Sequence, residues 1–261
     1  MKNEIAQTRI KLGSVLVTLV KSTLFQKNIN SFFNFNKKAF TLAEVLITLT
    51  IIGVVSAMTV PTLKNKMQNH TTYTALKKYH SIYANAFMLA NNEFGIFDAE
   101  EYNDADNNST IKLMEFIGTY VKSVKICKNN EAGCWSEKAK ALNNKVYAEG
   151  STTTGQGYNV SCAALNDGSY YCLDFWNGAN YAANYFGTKI NSIKFAVIWV
   201  DINGNQKPNV VGRDIFAFVL DGPKLLPAGT YQTTNCTPNN SSTLAGYMCA
   251  NKVILEKGVN Y

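Results

Sequence analysis

Residues 40–60 read FTLAEVLITLTIIGVVSAMTV, a run of 21 residues in which Glu44 is the only charge. Wound as an α-helix, the run rises about 31 Å, the thickness of a bilayer's hydrocarbon core. It therefore predicts a single membrane-spanning helix. Lys37 and Lys38 stand immediately before it. Basic residues flanking a span favour the cytoplasmic side, which would put the bulk of the chain across the membrane.

The charge distribution supports this division. The first 39 residues hold seven of the 25 Lys and Arg but only one of the 18 acids, a net +6, and leave +1 for the rest of the chain. The pI near 9.0 thus reflects the front end, and net charge gives no argument for nucleic-acid binding. Within that basic segment the apolar run 15–20, interrupted by Thr18 and bracketed by Lys11 and Lys21, is too short to span. Residues 1–39 read as a leader. With 46 % apolar and 12 % aromatic residues, the remainder suffices for a buried core.

After Pro61, the residues Leu63, Met67, His70, Tyr73, Leu76, Tyr79, Tyr83, Phe87 and Ala90 recur at steps of three and four without Gly or Pro. This is the pattern of an amphipathic helix. Proline is tolerated with a kink in a membrane helix, so the span (40–60) and the amphipathic half (61–90) are expected to form one long curved helix. Residues 91–108, rich in Asn, Asp and Glu, read as a connecting loop. A second helix is expected over 109–125, with Ile111, Met114, Ile117 and Val121 on one face.

Beyond it the character changes to strands at 169–175, 193–200 and 215–220, separated by turns such as Asn166-Asp167-Gly168 and Asn203-Gly204. The polar stretches 143–158 and 230–242 read as surface loops. The expected fold is α+β, a long N-terminal helix packed on an antiparallel sheet, with residues 91–261 forming an extracytoplasmic domain.

All six cysteines (Cys127, Cys134, Cys162, Cys172, Cys236 and Cys249) follow the span, where an oxidising compartment would pair them. No two have C-x-x-C spacing and no histidine is near, which argues against zinc. Nearest-neighbour pairing would close three short loops, but six cysteines allow about 15 connectivities.

The string Lys37-Lys38-Ala39-Phe40-Thr41-Leu42-Ala43-Glu44-Val45-Leu46-Ile47 resembles the processing signal of type IV prepilins and type II secretion pseudopilins. In that family a basic leader and a small residue precede Phe-Thr-Leu-x-Glu at the start of an apolar helix. The resemblance implies cleavage between Ala39 and Phe40 by a prepilin peptidase and methylation of the new Phe40 amine. It implies partners as well, namely other pilin or pseudopilin subunits and an inner-membrane assembly platform. Glu44 becomes the fifth residue of the cut chain. An ionised side chain in a membrane helix seeks a partner; Glu44 and the Phe40 amine lie four residues apart on one helical face, and the resemblance implies that Glu44 of an incoming subunit is attracted to the amine of a subunit already in the filament. The implied location is the inner membrane, single-pass, then a surface or periplasmic filament.

A second string, Asp201-Ile202-Asn203-Gly204-Asn205-Gln206-Lys207-Pro208-Asn209 followed by Gly212, Arg213 and Asp214, resembles a loop in the C-terminal domains of pilin-like secretion proteins. Oxygens of Asp201, Asn203, Asn205 and Asp214 could bind calcium, which major pseudopilins hold in a C-terminal loop. The string is not an EF-hand: Gln206 stands where Gly is needed and Gly212 where Glu is needed. The competing expectation is a structural hairpin turn at Asn203-Gly204.

Weaker signals are a basic series, Lys122, Lys125 and Lys128, read as a solvated helix face, and an aromatic stretch from Tyr170 to Phe186, read as core and strand. The only histidines, His70 and His80, sit on the amphipathic helix far in sequence from any nucleophile, and no phosphate loop occurs. Enzymatic function has no support. Two functions remain: a structural filament subunit, or a membrane-anchored minor pilin acting as a tip module that binds DNA, a surface or a secreted protein.

Overall fold

The computed structural model describes residues 40–102, 107–128, 131–136, 139–146 and 160–261. The expected leader 1–39, with Ala39, and most of the expected loop 143–158 lie outside the described residues. The chain divides into two compact units after Thr59, and helix α1, Leu42–Phe94, runs unbroken through the division and through Pro61.

In the first unit every described residue is exposed, including Val45, Leu46, Ile47, Leu49, Ile51 and Ile52. Here α1 is the one helix among the described residues long and apolar enough to cross a membrane. Its hydroxyls do not contradict that: Thr48, Thr50 and Thr59 each donate to the carbonyl three or four residues earlier. Polar side chains so satisfied expose little hydrogen-bonding capacity to lipid.

In the second unit α1 buries Leu76, Tyr79, Tyr83, Ala86, Phe87 and Ala90, the three-and-four spacing of one helical face. The expected face was longer. Leu63 and Met67 are 60 % and 62 % exposed, because the sheet packs only against the later turns. The helix also continues four residues past Ala90, and a short 3-10 turn, Ala99–Glu101, occupies part of the expected 91–108 loop, with Asp98 Oδ1 accepting from Glu100 N at 2.9 Å.

Helix α2, Asn107–Gly118, ends well short of the expected residue 125. Val121 is buried, and the chain then turns into a strand, so Lys122, Lys125 and Lys128 do not share a helix face. Pairing with the neighbouring strand outweighs the weak helical propensity of this segment.

Among the described residues, six strands lie in sequential order, each antiparallel to the next. They are β1 Ser123–Cys127, β2 Ser161–Leu165, β3 Tyr170–Asn177, β4 Lys194–Asp201, β5 Ile215–Asp221 and β6 Lys224–Pro227. The expected strands correspond to β3, β4 and β5. Strands β1, β2 and β6 are short and carry little alternation to read.

The central strands are apolar on both faces because both are covered. On one face Tyr171, Leu173, Ile198, Val200, Phe216 and Phe218 pack against α1, α2 and the last helix, α4, Cys249–Glu256. On the other, Cys172, Val197, Trp199, Ala217 and Val219 meet Trp135, Tyr247 and Phe186. Phe186 follows the short helix α3, Ala179–Asn184. The protein is thus α+β, a long helix on an antiparallel sheet, with a second layer that the sequence pattern did not disclose.

All six cysteines are paired, Cys127 with Cys134, Cys162 with Cys172 and Cys236 with Cys249. Cys162 and Cys172 face each other across β2 and β3.

Candidate functional site

The N-terminus of α1 is a capping box. Thr41 precedes the first helical residue, and its Oγ1 accepts from Glu44 N at 3.3 Å. In return Glu44 Oε2 accepts from Thr41 N and from Thr41 Oγ1, both at 2.9 Å. The exchange satisfies donors that a helix start otherwise leaves open. The Thr-x-x-Glu spacing was legible in the sequence, although only Glu44 was singled out there. Phe40, 83 % exposed, directly precedes the box.

The second cluster lies in the 13-residue connection 202–214 between β4 and β5. This is not the two-residue hairpin expected at Asn203-Gly204. Asp201 and Ile215 still face each other across the two strands, and Ile202 N donates to Asp214 O at 2.9 Å, so the connection leaves the sheet as a closed loop.

Its acids organise the backbone. Asp201 Oδ1 accepts from Asn203 N at 3.2 Å, while Asp214 Oδ2 and Oδ1 accept from Asn209 N and Val210 N at 2.7 and 2.6 Å. Gly204 has φ +60, and a Cβ there would stand 2.1 Å from Gly168 O. The loop is therefore seated on the β2–β3 turn through a position that admits only glycine.

Both acids are buried. Burial, reinforced by the neighbouring charge of Asp214, pushes the Asp201 carboxyl up to about 7. Burial also raises that of Asp214, against the pull of its two backbone donors. Asp201 Oδ2 and Asn203 Oδ1 are buried without a hydrogen-bond partner. Ser136 Oγ steadies Asp201 without reaching hydrogen-bond geometry.

Of the four residues expected to act together, Asp201, Asn203 and Asp214 converge, whereas Asn205 is exposed and its amide donates to Tyr170 Oη at 3.1 Å. Asn209, not singled out from the sequence, joins them. With its amide nitrogen turned inward it donates to Gln206 O at 2.7 Å and Gly204 O at 3.1 Å. With the oxygen inward, Asn209 Oδ1 would crowd against those two carbonyl oxygens with no proton between them. Among the described residues no three His, Cys, Asp or Glu side chains gather, so a cation here would rely on amide and carbonyl oxygens as well.

The aromatic stretch splits between environments. Tyr171 and Phe175 are in the helix-side core and Phe186 in the opposite one, while Trp176, Tyr181 and Tyr185 form a partly exposed cluster with centroids 5.1 to 5.9 Å apart. Of the basic series, Lys128 Nζ lies 3.8 Å from Glu115 and Lys125 Nζ donates to Ala132 O.

Residues 34–60 match the family model of the prokaryotic N-terminal methylation motif. The match spans residues 34–39, the capping box and the apolar run. Over these residues the chain carries the hallmark of the prepilin-type cleavage that type IV pilins and pseudopilins undergo. No curated protein and no solved structure matches the chain.

Proposed function

We propose that this chain is a structural subunit of a type IV pilus or type II secretion pseudopilus. A prepilin peptidase cuts between Ala39 and Phe40, the new amine of Phe40 is methylated, and the subunit waits in the inner membrane with residues 61–261 on the extracytoplasmic side. Assembly buries the apolar half of α1 against the same half of neighbouring subunits, and Glu44 sets their register. The observation that carries this reading is the continuity of the methylation motif with α1, whose first half is apolar and exposed. The apolar surface that lipid covers before assembly is the surface that helices cover afterwards.

Intact mass and N-terminal sequencing of the protein from its native membrane test this. A chain beginning at Phe40 and heavier by one methyl group is expected. Retention of residues 1–39 beside an active prepilin peptidase would overturn it.

A second reading concerns the 202–214 loop, where the partnerless Asp201 Oδ2 and Asn203 Oδ1 fit a hard cation. Calcium would be held by Asp201, Asn203 and Asp214, completed by further oxygens, and would supply the positive charge that the buried acid pair lacks. Thermal unfolding of the full chain with calcium and with chelator checks it. A higher Tm with calcium, lost in Asp201→Asn, is expected, and equal Tm values would remove the reading.

A further inference from the structure

The second unit carries a groove of about 730 Å³ between the first turns of α1 in that unit and the 202–214 loop. One wall is the helix face of Val60, Leu63 and Met67, the last two being exposed members of the expected core stripe. Lys64 stands on the same helix, and Lys207 and Arg213 face it from the loop. All three cations are exposed, and none takes part in the ion pairs found among the described residues. The acid in the lining, Asp214, has both oxygens committed to backbone N–H groups. Apolar side chains and unpaired cations thus share one concavity.

Its place along the chain suggests the occupant. Residue 60 closes the apolar run. Lys64 lies about 6 Å farther along the helix, and the polar headgroup layer outside the hydrocarbon core is about 5–8 Å deep. Val60 therefore borders the acyl chains, and Lys64 stands at the depth of phosphates. A helix 40–59 from a second copy would bring one carboxylate, Glu44, whereas an anionic leaflet presents phosphate to all three cations.

We propose that the groove binds an anionic phospholipid of the leaflet where the span emerges, with the upper acyl chain along Val60 and Leu63 and the phosphate among Lys64, Lys207 and Arg213. This rests on the membrane reading of residues 40–60. It gives the stored subunit a lipid contact that extraction into a filament must break.

The test reconstitutes the full-length protein in vesicles of phosphatidylcholine, alone or with a fraction of phosphatidylglycerol, and counts lipids retained after mild detergent extraction by native mass spectrometry. Selective retention of phosphatidylglycerol is expected. The combined variant K64Q/K207Q/R213Q should lower it about a hundredfold, the joint effect of three near-surface cations. V60S/L63S should lower retention with the cations intact, and unchanged helix content and disulfides verify folding in both.

Insertion into phosphatidylcholine reports the span separately. Failure to insert overturns the membrane reading and the groove with it. Normal insertion without lipid preference, or a preference unaltered by the triple variant, overturns the groove alone. Displacement of the lipid by inorganic phosphate would reassign it to a small anion, and a disulfide-linked dimer formed by Leu63→Cys in the same vesicles would reassign it to a second copy.

Discussion

Lys78 Nζ lies 2.5 Å from Asp167 Oδ2, and Tyr79 Oη donates to the same oxygen at 2.8 Å. Two adjacent residues of α1 thereby hold the turn between β2 and β3, 89 and 88 positions away in sequence. Asp167 Oδ1 accepts from Ser169 N and Oγ as well. Burial opposes ionisation of Asp167, but hydrogen bonds from Lys78, Ser169 and Tyr79 outweigh it and hold the carboxyl well below the usual range.

Because the folded-state pKa is depressed, this contribution is present above the unfolded value near 4 and is lost as pH falls below it. Asp167→Asn should destabilise the protein by about 1 kcal/mol at neutral pH, the upper end for a partly exposed pair. It should also weaken the acid dependence below pH ~4. Chemical denaturation in detergent at pH 7 and in the acid range checks both.

Asp174 behaves oppositely. It is buried on the sheet face bearing Trp176 and accepts from Trp176 Nε1 at 2.8 Å. Burial pushes its carboxyl up to about 7. Between the unfolded value near 4 and this one, the folded state binds more protons, so stability should fall as pH rises through that window and level off above it. Asp201 adds to the same slope. Asp174→Asn keeps an acceptor for the indole and should flatten the slope by up to about 1.4 kcal/mol per pH unit. Denaturation midpoints from pH 5 to 8 measure it.

Gly204→Ala should destabilise the protein by about 1–3 kcal/mol, since the added methyl meets the backbone at Gly168 and no flexible side chain can yield. Gly53→Ala, with nothing within 4 Å, should leave the stability of the second unit unchanged. The two Tm values, measured together, separate a packing requirement from general glycine flexibility.

Removing the bond between Cys236 and Cys249, 13 residues apart, should destabilise the protein by about 3 kcal/mol through the freed unfolded chain. This bond ties the 230–242 segment to the start of α4, so the Cys236→Ser/Cys249→Ser pair should open that segment to limited proteolysis before the rest of the second unit. Simultaneous cleavage throughout would show that the bond supports the whole sheet.

What was legible without tertiary structure was what depends on near neighbours. An apolar run with one charge, a Thr-x-x-Glu spacing, and three- and four-residue steps from Leu76 to Ala90 determine the helix and its processing signal, because helical bonds and capping act within a few residues. Strands β3, β4 and β5 were visible in their β-branched and aromatic runs.

Tertiary structure alone decided where α2 stops and which cysteines pair. It also decided that Leu63 and Met67 stay outside the core and that Asn205 turns to Tyr170 while Asn209 binds Asp214 through its backbone N–H. Each of these depends on contacts between residues distant in sequence. A short strand such as β1 has too few residues of its own to announce a partner, and a polar loop residue takes its direction from what the sheet brings beside it.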